Sequence, residues 1–270
     1  MRLALIVTTY ERADALARVL DSVRSQRRAP DELVVADDGS GPGTRQVVEH
    51  FARHAPCPVV HSWQPDAGWR LARSRNLALA RARSEYVVLV DGDMLLDASF
   101  LADHEAHARP GTWVQGCRLP LDSRATARLL RSPPGEPRPR GRDTDLRHRL
   151  QAAHCPLAAR LLVRPANALL AIKGCNQAFW RADLVRANGW DESIEGWGPE
   201  DKELCARLAN AGVRRRSLMF GGIAWHLHHA SAAPRDAPAG RDALRLTRSL
   251  GRIRCERGLD AHGETAPAAR

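Results

Sequence analysis

Apolar residues come in short unbroken runs near the amino terminus: LALIVT at 3–8, ELVVAD at 32–37, VVHSW at 59–63 and YVVLV at 86–90. Runs of this length bounded by turn residues read as strands, and their lack of alternation means that both faces are buried. Between them, Leu16, Val19, Leu20 and Val23 fall on one face of a helix, and residues 70–83 gather alanine and leucine on another. Strands alternating with helices predict an α/β chain with a mostly parallel sheet covered on both sides. Further along, the pattern predicts a helical stretch around 145–163, the segment IKGCNQAFW at 172–180, and a helix starting near Pro199. Proline is tolerated in a first helical turn.

In open parallel sheets, ligands gather beyond the carboxyl ends of the strands, and three of these ends are polar. Thr8-Thr9-Tyr10-Glu11 follows the first, Asp37-Asp38 closes the second, and Asp91-Gly92-Asp93 follows the fourth. They are expected to converge on one cleft. Two carboxylates two residues apart can meet one hard divalent cation, Mn2+ or Mg2+, beside a diphosphate. The glycine between them is expected to let the backbone approach that ligand. The plainer alternative is an acidic turn capping a helix that begins near Asp97; the strand context favours the cation. Asp37-Asp38-Gly39-Ser40 suits either a turn or a carboxylate that accepts a nucleobase N–H. The adjoining GSGPG is not a dinucleotide fingerprint, because Thr44 stands at the third glycine and the run follows the wrong strand.

Trp197-Gly198-Pro199-Glu200-Asp201 sets two carboxylates at a helix start, where the dipole favours ionised acids. Acidic capping accounts for such a pair, and so does a general base that takes a proton from an attacking hydroxyl. Trp197 offers an apolar face to a sugar ring. In Trp225-His226-Leu227-His228-His229 an extended backbone would point His226 and His228 to one side. His226 is the stronger candidate to complete a metal site as neutral imidazole, His228 the weaker, and His229 has no expected role.

Charge adds a second theme. The 270 residues carry a formal net charge of +10, nearly all of the basic side chains being arginine, which grips phosphate and carboxylate in a bidentate fork. Residues 118–164 hold eleven Arg against four Asp or Glu, which predicts a localised basic surface for an anionic partner such as a membrane. Proline, glycine and arginine at 131–142, with Arg138, Arg140 and Arg142, predict an exposed loop there. Residues 231–270 read as a basic, partly disordered tail. Cys57, Cys117, Cys155, Cys175, Cys205 and Cys255 are spread singly and read as reduced cytosolic thiols. The apolar run in MRLALIVTTY is expected to be too short for a signal-peptide core or a membrane span.

Taken in order, VTTYER, ADDGS, GWRLARSRNLAL, DGDM, KGCNQAFWRADL and GWGPEDKEL make residues 1–230 resemble the inverting family 2 glycosyltransferases of the GT-A fold, a Rossmann-like single domain. The likeness is strongest to bacterial chondroitin and hyaluronan polymerase domains with a galactosyltransferase-type carboxyl-terminal region. It implies a donor half at 1–117, a basic variable insertion at 118–164 and an acceptor half at 165–230. It also implies hexosyl transfer from a nucleotide sugar, UDP-linked, to a glycan or lipid-linked glycan in envelope polysaccharide or lipopolysaccharide synthesis. By the same resemblance Thr8 and Tyr10 line the nucleobase, Asp38 bonds it, and Arg75 and Asn76 lie near the donor. Asp93 is the firmer metal ligand, with Asp91 nearer the ribose or the outer shell. Glu200, Trp197 and Asn176 hold the acceptor, and Asp201 is the base.

Two other readings share part of this pattern. A sugar nucleotidyltransferase would have the same sheet and carboxylates, but resemblance to that class requires a glycine-rich arginine loop where TTYER stands. A nucleic-acid-binding module would explain the charge, yet its acidic sites would face a phosphate backbone that repels them. No nucleic acid is therefore expected as a partner. The expected location is cytoplasmic, with a peripheral seat on the inner face of the plasma membrane.

Overall fold

The computed structural model describes residues 1–133, 139–166, 171–230 and 238–263. The first half runs β1 (Leu3–Thr9), α1 (Ala13–Arg24), β2 (Glu32–Asp37), α2 (Pro42–Ala52), β3 (Val59–Trp63), α3 (Leu71–Arg81), β4 (Tyr86–Asp91), β5 (Met94–Leu96) and α4 (Phe100–His107). Next come β6 (Thr112–Gln115), β7 (Cys117–Pro120), α5 (Ser123–Arg131), α6 (Leu146–Arg149), α7 (Pro156–Leu162) and β8 (Arg164–Ala166). The remainder is β9 (Asn176–Trp180), α8 (Arg181–Ala187), α9 (Glu200–Asn210), β10 (Arg214–Ser217), β11 (Ile223–His226) and α10 (Pro238–Leu250).

The main sheet has the order β3-β2-β1-β4-β9-β6-β10-β8. Strands β3, β2, β1 and β4 are parallel neighbours, as are β6 and β10. Only β9 and β8 run against the rest, so the expected mostly parallel α/β sheet is what forms. Consecutive residues of each central strand feed opposite cores. Leu3, Leu5 and Val7 join Leu33, Val35, Val88 and Val90 on the side of α1, α2 and α5. Ala4 and Ile6 join Val34, Ala36, Val87 and Leu89 on the side of α3, α8 and α9. Both faces are dry, which is why these strands show no polar alternation; each fully buried Leu or Val contributes about 1.5–3 kcal/mol.

A second sheet, β5-β11-β7, has no counterpart in the sequence reading. Its antiparallel β5–β11 pair sets His226 opposite Met94, which brings the histidine run onto the DGDM turn. The helix expected near Asp97 is displaced by this strand and begins at Phe100. The stretch 145–163 breaks into α6 and α7, the second opening with Pro156. Segment 118–164 is built into the fold: β7 pairs with β11, and Asp122 caps α5 by accepting from the Ala125 N–H at 2.7 Å. Arg138 and residues 231–237 and 264–270 lie outside the described residues.

Within the stretch 231–270, read from sequence as a partly disordered tail, residues 238–263 are folded. The Thr247 hydroxyl donates to Glu203 Oε1 at 2.7 Å, and Leu259 is buried in the core beside α3. No helix among the described residues is long and apolar enough to cross a membrane.

Candidate functional site

The ends of β1, β2 and β4 do open on one cavity, of about 450 Å³, lined by Thr8, Tyr10, Asp38, Trp69, Asp91 and Asp93 among others. Local hydrogen bonds join the loops around it. Glu11 accepts from the Gly41 N–H at 2.7 Å and its own N–H donates to Ser40 Oγ at 2.9 Å. Asp37 is fully buried and closes the DDGS turn, accepting from the Gly39 and Ser40 N–H groups and facing His61 Nε2 at 2.8 Å. Gly39 has φ +105°, and a Cβ there would lie 2.6 Å from the Asp66 backbone. No other residue fits that position without strain.

Asp38, one residue on, borders the cavity. Burial raises its carboxyl above the usual range, partly offset by the Arg70 N–H at 2.9 Å and by the Gln64 amide. Tyr10 is half exposed, its hydroxyl donating to Asp66 at 3.1 Å, so its ring is held at the cavity wall. Thr8 donates to Asp91 Oδ1 at 2.9 Å. Gly92 does permit a close approach, but to protein: its N–H meets the Thr8 carbonyl at 2.6 Å, and a Cβ would sit 2.7 Å from that oxygen. Gly92 thus docks the DGD turn on β1 while itself lining the cavity.

Asp93, His226 and His229 offer one ligand atom each within 4.8 Å of one another. Asp93 Oδ2 lies 3.4 Å from His226 Nε2 and 3.1 Å from His229 Nε2, while its Oδ1 is buried without a hydrogen-bond partner. Burial would raise the Asp93 carboxyl, but hydrogen bonds from both rings outweigh it and hold the group well below the usual range. A carboxylate with two imidazoles is a mixed donor set that suits Mn2+ better than the all-oxygen preference of Mg2+. The second imidazole is His229, which had no expected role. The chain leaves β11 after His226, so His228 turns outward, its N–H held by Thr126 Oγ1 at 2.8 Å. His-x-x-His spacing across a strand end was the available signal.

The two rings differ in tautomer. His229 Nδ1 faces the Ala230 carbonyl at 2.9 Å, which holds a proton there, so Nε2 can ligate once a cation displaces the proton it shares with Asp93. His226 Nδ1 instead faces the Arg118 guanidinium at 3.1 Å, which can only donate. In the neutral ring the proton then sits on Nε2, so His229 is the better prepared ligand. Asp91 is not in this cluster. Its Oδ1 is engaged by Thr8 and lies 3.5 Å from Arg75, which fits a role beside the ligands rather than among them.

Arg75 is fully buried and does not border the cavity. It reaches Glu200 Oε1 at 3.0 Å and Asp91 at 3.5 Å, with its guanidinium over the Trp190 ring at 5.7 Å. It therefore joins the end of β4 to the start of α9. Burial drives the Glu200 carboxyl up; Arg75 opposes this, Asp201 adds to it, and the net result is about 7. Asp201 is also raised, chiefly by burial. It packs against Gly174, where a Cβ would lie 2.9 Å from its Oδ2. Trp197 is half exposed, and the Gly196 N–H donates to the Trp69 carbonyl at 2.8 Å, which sets the two tryptophan loops side by side.

Two expected ligand-binding residues are internal fasteners instead. Asn76 is fully buried and bonds both the N–H and the carbonyl of Trp190 at 2.8 Å, and Glu192 at 2.8 Å. Asn176 is equally buried, donating to the Cys117 and Gly222 carbonyls at 2.9 Å and facing His104 Nε2 at 3.0 Å. Neither has a polar atom left for a donor or an acceptor sugar. Trp69, Arg12 and Leu71 line the cavity and were not singled out from sequence.

Comparison with known proteins accords with this geometry. Over 222 residues, 78% of the chain, it is 31% identical to a validoxylamine A glucosyltransferase of Streptomyces hygroscopicus subsp. limoneus, covering 48% of that protein. Over 83% of the chain it is 28% identical to a chondroitin synthase of Escherichia coli, covering 34% of it. The chain thus spans half or less of the length of these relatives. The crystal structure of S. aureus TarS 1–349 in complex with UDP-GlcNAc superposes with a TM-score of 0.65 at 18% identity, over 97% of this chain and 69% of that one; the fold is GT-A. Residues 162–230 match the family described as N-terminal domain of galactosyltransferase. Residues 4–162, more than half of the chain, match Glycosyl transferase family 2, and the chain belongs to that family.

Proposed function

We propose that this chain is a metal-dependent, inverting glycosyltransferase that moves a sugar from a UDP-linked donor to a hydroxyl of a glycan or lipid-linked glycan. One observation carries the reading: the strand-end cleft holding Asp38, Asp91 and Asp93 is tied through buried Arg75 to a second carboxylate pair, Glu200 and Asp201. Tyr10, Thr8 and Asp38 suit the nucleoside end of the cleft. Asp93 and His229, with His226, would hold a divalent cation, which when bound neutralises the departing diphosphate.

On the acceptor side, Asp201 accepts the proton of the attacking hydroxyl, and its raised pKa makes its carboxylate a stronger base than a solvated aspartate. The acceptor oxygen bonds to the anomeric carbon as the bond to the diphosphate breaks, which inverts the configuration. Trp197 and Glu200 orient the acceptor, and Arg75 positions Glu200. The likeness to polysaccharide polymerases supports a place in envelope polysaccharide or lipopolysaccharide synthesis on the cytoplasmic side, with an anionic membrane surface among the partners. The division into donor half, segment 118–164 and acceptor half belongs to the same reading.

A panel of nucleotide sugars assayed with and without Mn2+ tests it. Asp93→Ala is expected to abolish metal-dependent donor hydrolysis in a folded protein. Asp201→Asn is expected to lower kcat by on the order of a hundredfold with little change in donor affinity. Parental turnover by Asp93→Ala at saturating donor and ordinary metal concentrations would overturn the proposal.

A further inference from the structure

The most exposed large apolar side chains among the described residues are Leu150 (77%), Leu146 (76%), Leu161 (72%) and Leu157 (67%), with Leu162 next to them also exposed. They lie on α6, on Leu150 that caps its carboxyl end, and on α7, with six residues, 150–155, between the two helices. Leu146 with the cap residue Leu150, whose backbone is still helical, and Leu157 with Leu161 in α7 form two pairs four residues apart, the spacing that places two side chains on one face.

The exposure is enforced by the anchoring of the segment. His154 Nε2 meets both oxygens of Asp103 at 3.0 and 3.1 Å, and the Cys155 N–H donates to the Phe220 carbonyl at 2.9 Å. Ala159 is buried on the inner side of α7, and a half-turn away on either side of it Leu157 and Leu161 point outward. Ahead of α6, the Thr144 hydroxyl donates to the Pro120 carbonyl at 2.6 Å. The leucines therefore cannot fold back without breaking these contacts. Clustered exposed leucines on a held surface mark a contact face.

The charge around them selects the partner. Arg147, Arg149 and Arg160 are exposed between the leucines and make no ion pair among the described residues. Asp145, the acid that caps α6, is occupied by His148. Leucines flanked by arginines match a bilayer with anionic headgroups, where the apolar groups enter the acyl boundary and the cations stay with the phosphates. A second copy of this chain would set like charges against each other.

We infer that α6 and α7 form a membrane-docking face that seats the protein on an anionic lipid surface. The inference rests on the transferase reading only in supposing that the acceptor is met at that surface.

The full chain is to be sedimented with phosphatidylcholine vesicles with and without phosphatidylglycerol, with donor hydrolysis followed in parallel. Binding is expected to the anionic vesicles and to fall as salt rises, since surface charge is screened beyond about 8 Å at physiological ionic strength. Leu157→Ser/Leu161→Ser and Arg147→Gln/Arg149→Gln/Arg160→Gln should each lower partitioning by roughly tenfold or more without changing donor hydrolysis. Absence of binding to anionic vesicles, or equal binding by parent and both variants, overturns the inference. Self-association that is lost in the leucine variant, with no vesicle binding, would overturn it in favour of a second copy. Loss of hydrolysis in the parent would count against the transferase reading alone.

Discussion

Arg75→Met should expose how the two halves of the cleft are held together. The substitution removes the cation between Glu200 and Asp91 while keeping a side chain to pack on Trp190. Glu200 sits near 7, above its ordinary 4.5, so the folded state binds the proton more tightly than the unfolded state. That contribution to stability is present at low pH and is lost as pH rises through about 7. Without Arg75 the folded carboxyl moves higher still, because burial is then less opposed. Below pH 7 parent and variant both hold Glu200 neutral, and the variant loses mainly hydrogen bonds, about 1–2 kcal/mol. Above pH 7 the gap widens by about 1.4 kcal/mol per pH unit, towards the ~3–5 kcal/mol that breaking a buried pair costs. At ~2–4 °C of Tm per kcal/mol, the fall in Tm should roughly double or more between pH 6 and pH 8.5. Thermal unfolding at the two pH values measures it. Adding Glu200→Gln should restore most of the loss at pH 8.5. An equal Tm loss at both pH values, or no rescue by the second substitution, would refute the coupling.

Two further outcomes separate structural from chemical roles. Asn176→Ala should lower stability by several kcal/mol, since it strands two buried carbonyls and a histidine nitrogen, while acceptor KM in the folded fraction stays near the parent value; a selective rise in acceptor KM would restore the ligand role that sequence suggested. His229→Ala should raise the Mn2+ concentration needed for half-maximal turnover by at least about tenfold, whereas His228→Ala should not, and the reverse ranking would show that the strand continues past His226 in the working enzyme.

The strands were legible because burial on both faces writes itself as unbroken apolar runs: β2 and β3 begin and end where ELVVAD and VVHSW do. The strand-end acids were legible for the same reason, as polar residues stopping an apolar run. The small β5-β11-β7 sheet was not, since three or four residues such as Met94–Leu96 are too few to show a period. That one omission cost the assignment of His229, because where β11 ends, at His226, is a property of that sheet. Asn76 and Asn176 misled for a different reason. An amide inside a polar motif looks the same in sequence whether it meets a ligand or, as here, two backbone groups and a side chain, and only burial distinguishes the two. Arg75 was placed near the right residues, but as a donor contact instead of a buried tie.

The grip of residues 238–263 on α9 bears on how portable this catalytic unit is. The stretch matched to known families ends at residue 230, and every side chain assigned to the cleft precedes it. Yet Glu203, one turn after Glu200 and Asp201, is held from behind by Thr247, and the Asn210 amide at the other end of α9 donates to the carbonyls of Thr247 and Arg252 at 3.1 and 2.9 Å. A graft of residues 1–230 into another scaffold would carry all of the chemistry and leave the helix bearing it without its outer support. The borders of the recognisable family and the borders of the mechanical unit do not coincide in this chain, and a transplant cut at the former should lose the alignment of Glu200 and Asp201 before it loses any residue that touches substrate.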